Sequence, residues 1–231
     1  MITLQDTDHD FVCDIQAPCF QSLSSDAVEL LQKSKTQILY RKGEVMTKQG
    51  AYSSYILFIV EGIVKKYIEI DNSKNYNLRI LKSGDFVGLS AVFNESVFQY
   101  STSTLSDTKA FLVEKEAIME LTKKNAQFGY SIFQRYFSHD SQIYQNLKIL
   151  LQKQMNGRLC ESLLYLNSIQ NGKENIFSML SRRDLAEFAG ITTESTVKIL
   201  KTFQKEGFIE LHEKEIILKN IPALEDIRQR G

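Results

Sequence analysis

A chain of 231 residues with 43% hydrophobic and 24% charged residues is long enough for two domains of ordinary size and has a normal globular composition. Its 28 basic residues balance 28 acidic ones, so charge gives no hint of nucleic acid and any basic surface has to be local. No run of about 18 apolar residues marks a membrane span; the polar start MITLQDTDHD argues against an export signal, and three cysteines fit a reducing cytoplasm better than a disulfide framework.

From about residue 36 to 114 the sequence predicts strand after strand. TQILYRKGEVMTKQG carries two short runs broken at Gly43 and ended by Gly50. SYILFIVEGIVKKYIEID carries two more that meet at Glu61 and Gly62. LRIL, SGDFVG, YSTSTL and KAFLVE continue the series with high β-branched and aromatic content and no proline. Short strands punctuated by Gly43, Gly50, Gly62, Gly84 and Gly88 predict an antiparallel barrel or jelly roll (a double-stranded β-helix).

The pattern then changes to helix. From about Lys115 to Met155 there is no proline and one glycine, Gly129. Phe133, Phe137, Tyr144, Leu147 and Leu151 fall on one heptad seam, with Asp140 and Gln154 as its polar members; Ile132, Tyr136, Ile143 and Leu150 fall on the neighbouring face. A helix apolar on two faces must bury both, one on its own barrel and one on a second copy of itself. A core helix in a single domain is the alternative.

After a break read at Asn156–Gly157, RLCESLLYLNSIQ is a further helix, and the polar stretch NGKEN follows. Next comes LSRRDLAEFAGITTESTVKILKTFQKEGFIELHEKEIILKN. Ser181 and Asp184 read as an N-cap with an acidic first turn, Leu185, Ala186 and Ala189 as an apolar face, and Gly190 as a left-handed helix stop. Thr192 caps a second helix with Val197, Leu200 and Phe203 inward, ended by Gly207. FIEL and IILK make a hairpin. Two short helices joined by a glycine turn and followed by a hairpin are a winged helix-turn-helix, whose second helix enters the major groove.

Helical spacing turns Thr193, Glu194, Lys198 and Lys201 outward. Glutamate on such a face accepts from cytosine N4, and Lys198 donates to guanine or phosphate. Ser195 and Thr196 are candidate donors to phosphate or a base edge; Arg182, Arg183 and Lys201 are placed for phosphates. Between 181 and 205 five basic residues face three acidic ones, a modest local excess. The expected organisation is an α+β chain with a barrel over 1–125, a dimerisation helix over 126–155 and a winged helix-turn-helix over 156–231.

ITTESTVKILKTFQKEGFI resembles the recognition helix of the Crp/Fnr transcription regulators. The resemblance runs backward through the dimer helix and KSGDFVG to the glycine-punctuated barrel, and so covers nearly the whole chain. It implies a homodimer on a two-fold symmetric operator, a signal sensed at the barrel, and RNA polymerase as a partner. Glu194 and Lys198 match base-reading positions and Ser195 a neighbouring polar one. Thr193 and Lys198 both stand where many members carry arginine, which weakens bidentate guanine reading.

In members that bind a cyclic nucleotide, the turn after GDFVG-like text carries a glutamate for the ribose and an Arg-Ser pair for the phosphate. Here Leu89 occupies the glutamate position, Gln99 or Tyr100 the arginine position, and Ser101 follows. No arginine lies between Arg79 and Arg135. The resemblance therefore implies an effector other than cyclic AMP. A pocket there would involve Gly88, Leu89, Val92, Phe93, Phe98, Gln99, Tyr100 and Ser101, and either takes an apolar ligand or is a filled core; aromatics in small barrels usually pack, which favours the latter. Cys13 and Cys19 match the spacing of two iron–sulfur ligands of the oxygen-sensing branch, but such a cluster wants four thiolates. Asp10 stands where another cysteine would be expected, so idle thiols and no cofactor are the favoured reading. His9, His139 and His212 show no metal spacing.

An enzyme finds no foothold: there is no phosphate loop, HExxH, GxSxG or histidine beside a plausible nucleophile. The rival reading is a ligand-binding barrel whose C-terminal helices hold a protein partner instead of DNA.

Overall fold

A computed structural model describes residues 2–3, 23–71, 74–93, 97–170 and 175–231, the side chains of Ile2, Thr3, His139 and Asp140 excepted. Cys13 and Cys19, with the redox role weighed for them, lie outside the described residues, as does the side chain of His139. The chain divides into two compact units, Met1–Glu69 with Arg79–Gln142, and Ile70–Leu78 with Ile143–Gly231.

The first unit opens with β1 (Ile2–Thr3), α1 (Ser25–Lys33), β2 (Lys35–Tyr40), β3 (Val45–Thr47), β4 (Tyr55–Glu61) and β5 (Val64–Glu69). Strand β6 (Asn75–Leu81), whose residues up to Leu78 count with the second unit, is followed by β7 (Phe86–Val87), the short α2 (Ser90–Phe93), β8 (Ser101–Thr104), β9 (Thr108–Glu114) and α3 (Lys115–Lys124). Helix α4 (Ala126–Gln152) is continuous from one unit into the other. The strands form two sheets with orders β1-β2-β9-β4-β7 and β3-β8-β5-β6; the described pairings are antiparallel. The expected jelly-roll barrel is therefore present as two sheets, which backbone hydrogen bonds do not close into a single ring.

Strand β4 explains why the first sheet reads as a continuous apolar run. Its side chains alternate between faces, and both faces are covered. Ile56 and Phe58 pack with Leu31 of α1, Ile118 and Leu121 of α3, and Phe128 and Ile132 of α4. Leu57 and Ile59 pack instead with Val64, Leu81 and Tyr100, from and beside the second sheet. Strands buried on both sides lose the polar alternation that marks a half-solvated sheet. Phe58 and Phe86 meet edge to face at 5.0 Å.

The helical stretch from 115 is two helices rather than one. Asn125 leaves the helical region at φ −123°, ψ 101°, and its Oδ1 accepts from Phe128 N at 2.9 Å to begin α4. Arg135, further along α4, donates to the Gly84 carbonyl at 2.7 Å.

The second unit holds α5 (Met155–Ser168), α6 (Ile176–Met179), α7 (Arg182–Ala189), α8 (Thr193–Lys205), β10 (Ile209–His212), β11 (Glu215–Leu218) and α9 (Ile221–Arg230). The break expected at Asn156–Gly157 falls earlier, at Gln154, the N-cap of α5. Gly157 lies within α5, where a Cβ would stand 2.8 Å from the Gly231 carbonyl oxygen. That glycine serves a close helix contact, not a turn. Leu159, Leu163, Leu166, Phe177, Leu180 and Leu224 are among the buried side chains that hold this unit together.

Gly62, between β4 and β5, has φ +108°, and a Cβ there would stand 2.5 Å from Thr108 Oγ1 and 2.7 Å from the Asp107 carbonyl oxygen. Gly43 has φ +87° but open space around it. Both alanine variants bear the strain of positive φ, about 1–3 kcal/mol. Gly62→Ala adds a backbone clash and should lower the urea midpoint clearly further than Gly43→Ala; equal midpoints would mean that the β4–β5 connection yields.

Candidate nucleic-acid interface

The segment from Ser181 to Leu218 is built from local hydrogen-bond chemistry. Ser181 Oγ accepts from Asp184 N at 3.1 Å while Asp184 Oδ2 accepts from Ser181 N at 2.8 Å, a reciprocal box that satisfies donors at the start of α7. Gly190 closes α7 at φ 62°, ψ 37°, a left-handed stop that glycine takes with least penalty. Thr192 then caps α8, its Oγ1 accepting from Ser195 N at 3.1 Å. Leu185, Ala186 and Ala189 of α7 and Leu200 and Phe203 of α8 are buried, so the turn and the apolar spacing together fix how the helices cross.

The outward face of α8 carries Thr193, Glu194, Lys198 and Lys201, all exposed, with Ser195 half-buried. Among the described residues Glu194, Lys198 and Lys201 are held by no ion pair, so their charges are available to a partner. Thr196 is corrected: it is fully buried, and its hydroxyl donates to the Thr192 carbonyl at 3.0 Å. It lies four residues before Leu200 and shares the inward face with it, while Val197 is only half-buried.

The two arginines of α7 already have protein partners. Arg182 Nη2 donates to the Glu213 carbonyl at 3.0 Å, and Arg183 Nε donates to Glu187 Oε1 at 2.9 Å. Strands β10 and β11 pair from Ile209↔Leu218 to His212↔Glu215. Glu213, in the tight turn between them, has φ 46°, as a two-residue hairpin turn requires. This is the expected wing. An exposed 13-residue helix, about 20 Å long at 1.5 Å per residue, suits a major groove about 12 Å wide.

In the first unit the residues named for an effector pocket fall into two buried clusters and the surface. Leu89 and Val92 pack with Phe58, Phe86 and Phe111. Tyr100, with Phe98 against it, belongs to the other cluster, around Val64 and Leu81. Phe93 is partly exposed and stacks on Phe133 at 5.3 Å, and Gln99 is exposed. Gly88 N donates to Tyr100 Oη at 2.9 Å, and a Cβ at Gly88 would meet the Phe98 ring at 2.8 Å. Ser101 Oγ donates to Glu69 Oε1 at 2.5 Å. Burial pushes the Tyr100 hydroxyl up to about 12.

Sequence reasoning passed over Lys66. It is 5% exposed, and its Nζ stands 3.7 Å from the centre of the Tyr100 ring. Strand period was the available signal: Val64, Lys66 and Ile68 share one face and Lys65, Tyr67 and Glu69 the other. Among the described residues no group of His, Cys, Asp or Glu could hold a metal ion. Cys160 is a buried thiol that burial pushes up to about 12, and no described helix is long and apolar enough to cross a membrane.

The comparisons with known proteins agree with this geometry. A family model described as a cyclic nucleotide-binding domain matches residues 37–125, and one described as a Crp-like helix-turn-helix domain matches residues 157–227. The probable transcriptional regulator flp of Lacticaseibacillus casei is 22% identical over 93% of this chain and 97% of its own. The CRP-like cAMP-activated global transcriptional regulator of Mycobacterium tuberculosis (strain H37Rv) is 20% identical over 90% and 95%. Among solved structures, a transcriptional regulator of the crp/fnr family from Eubacterium rectale superposes with a TM-score of 0.76, at 20% identity, over 92% of this chain and 98% of its own. With both characteristic domains matched in order and the recognition helix capped, turned and exposed as its role demands, the chain belongs to the Crp/Fnr family and is a DNA-binding transcription regulator of that type.

Proposed function

We propose that this regulator works as a homodimer, placing α8 of each copy in successive major grooves of a two-fold symmetric operator, with the first unit setting DNA affinity in response to a signal. The observation that carries the dimer is the seam on α4. Its apolar positions range from 44% exposed at Phe133 to 76% at Leu151, with Phe137, Tyr144 and Leu147 between them. An apolar stripe of this length left to solvent marks an interaction surface, and a heptad seam matches a second copy of itself. RNA polymerase is the further partner we assign, and we assign no catalytic activity. Such a regulator works in the cytoplasm, where its DNA is.

Base reading is assigned to Glu194 and Lys198, with Thr193 and Ser195 beside them and Lys201 on a phosphate. Arg182 and Arg183 share their guanidinium donors with Glu213 and Glu187, whereas the exposed Lys201 is held by no ion pair among the described residues, so Lys201 is the stronger candidate. The relative from Mycobacterium tuberculosis is named for activation by cAMP, but this chain has Leu89 in an apolar cluster where the resemblance calls for a ribose-binding glutamate. We infer that cyclic AMP is not its effector. Calorimetry should find no dissociation constant near or below about 10 μM, an affinity of roughly 7 kcal/mol; such a constant would overturn that inference.

Leu147→Glu buries a facing pair of charges in a dimer, and unpaired buried charge costs several kcal/mol. Light scattering at micromolar concentration should therefore give a monomer. A variant that stays dimeric places the interface elsewhere.

On DNA the two kinds of contact separate. Glu194→Ala should relax discrimination at one base pair per half-site, losing about 1–3 kcal/mol against the preferred base and little on other duplexes. Lys201→Ala should weaken all duplexes alike and flatten the salt dependence by about one ion for each phosphate that Lys201 neutralises. A binding selection at two salt concentrations checks both, and an unchanged motif for Glu194→Ala would mean that α8 docks by another face.

A further inference from the structure

Strand β5 carries one interior residue that packing does not explain. Val64 is fully buried and Ile68 packs on the same cluster, which includes Ile38, Leu57, Leu81 and Tyr100. The strand period puts Lys66 between them on that face. An apolar side chain would fill this position at no electrostatic cost, whereas a buried ammonium needs a counter-charge.

Among the described residues no carboxylate is paired directly with Lys66, and only Asp85 acts on it from a distance. Among the described residues Lys66 has no ion pair or hydrogen bond, only the face of the Tyr100 ring. The nearby carboxylate is already engaged: Asp85 Oδ2 lies 3.7 Å from Arg79 Nη2 and accepts from Lys82 N at 2.9 Å. Among the described residues the charges acting on this position are thus the buried Lys66 and the half-buried Arg79 against one half-buried carboxylate, Asp85. Burial first, and the Arg79 charge second, pushes the Lys66 ammonium down to about 8, with Asp85 opposing. A hydrogen-bond donor stands beside it as well. Tyr100 Oη accepts from Gly88 N, and its own proton has no acceptor among the described residues. Opposite Lys66 in register is Thr102, whose hydroxyl is paired with that of Thr47 at 2.8 Å.

We propose that Lys66 anchors an effector site inside the first unit that takes a small organic carboxylate, its charge on the Lys66 ammonium and its apolar body against Val64, Ile68 and Phe98. The proposal rests on reading this unit as the signal-receiving part of the regulator. One uncompensated cation calls for a monoanion. Tyr100 O–H donates to the carboxylate, a charge-assisted bond stronger than a neutral one. The cluster lining the site is otherwise apolar, which suits a hydrocarbon body and offers little to a ribose.

The test measures the melting temperature of the full-length protein in benzoate, octanoate, cyclic AMP or chloride, at matched ionic strength. Benzoate or octanoate should raise the wild-type value above that in chloride. Lys66→Met should melt higher than the wild type in chloride, because an unpaired buried charge is gone, and should not respond to either carboxylate. Tyr100→Phe should weaken the response by several-fold. If Lys66→Met does not fold, Lys66→Gln makes the same comparison. The proposal is overturned if neither carboxylate moves the wild type, if the Lys66 variant responds as the wild type does, or if cyclic AMP gives the larger rise. A gel shift of duplex DNA by the wild type separates the two readings. A shift without a carboxylate response removes the anion site alone, whereas no shift removes the regulator reading with it.

Discussion

A helix apolar on two faces is the constraint on which this molecule turns. Phe128 and Ile132 at the start of α4 are completely buried beneath the first sheet, which leaves no freedom in how that half of the helix is rotated. Because an α-helix is rigid over one turn, fixing those residues also fixes the direction of Phe133 and Phe137 within the first unit. The second face cannot be covered by the same sheet. The apolar area left there is worth roughly 25 cal/mol per Å² to whatever covers it. The proposed dimer is thus a consequence of how the first sheet grips this helix.

The DNA-binding segment follows a different logic, in which short-range chemistry decides nearly everything. The Ser181–Asp184 box, the left-handed Gly190 and the Thr192 cap are each satisfied within a few residues. Together with one apolar face per helix they leave the outward residues of α8 no alternative placement. Charge plays a smaller part than the family's role would suggest. The chain as a whole is neutral, and two of its candidate phosphate binders are already committed to Glu213 and Glu187. Affinity has to be gathered by few cations, which gives the doubling of contacts in the proposed dimer more weight here.

What was legible in the sequence follows this division. The capped helices, the glycine turn and the wing were all visible because local residues dictate them. The seam on α4 was visible because its period is long, with Asp140 the one polar member between Phe133 and Leu151. The misplacements are cases where one residue step decides. Thr196 and Val197 differ by about 100° around α8, and the polar one turned in because its hydroxyl finds the Thr192 carbonyl. Gly157 looked like a chain break and is a contact point for Gly231, a tertiary reason that no local pattern carries. Lys65 and Lys66 are adjacent and identical, and the strand period that sets Lys66 on the face of Val64 and Ile68 was the one signal separating them. The candidate pocket residues share a stretch of sequence, but strand alternation and the α2 turn send them to separate clusters.

The most direct measurement of the central claim is the symmetry of the DNA that the full-length protein selects. Randomised duplexes bound and sequenced should yield an inverted repeat. Two copies of α8 related by a two-fold axis require half-site centres about 34–36 Å apart, roughly 10 base pairs. An unrepeated motif, a direct repeat, or binding with no enriched sequence would contradict the account, since none of these can be read by two recognition helices facing one another across a dimer.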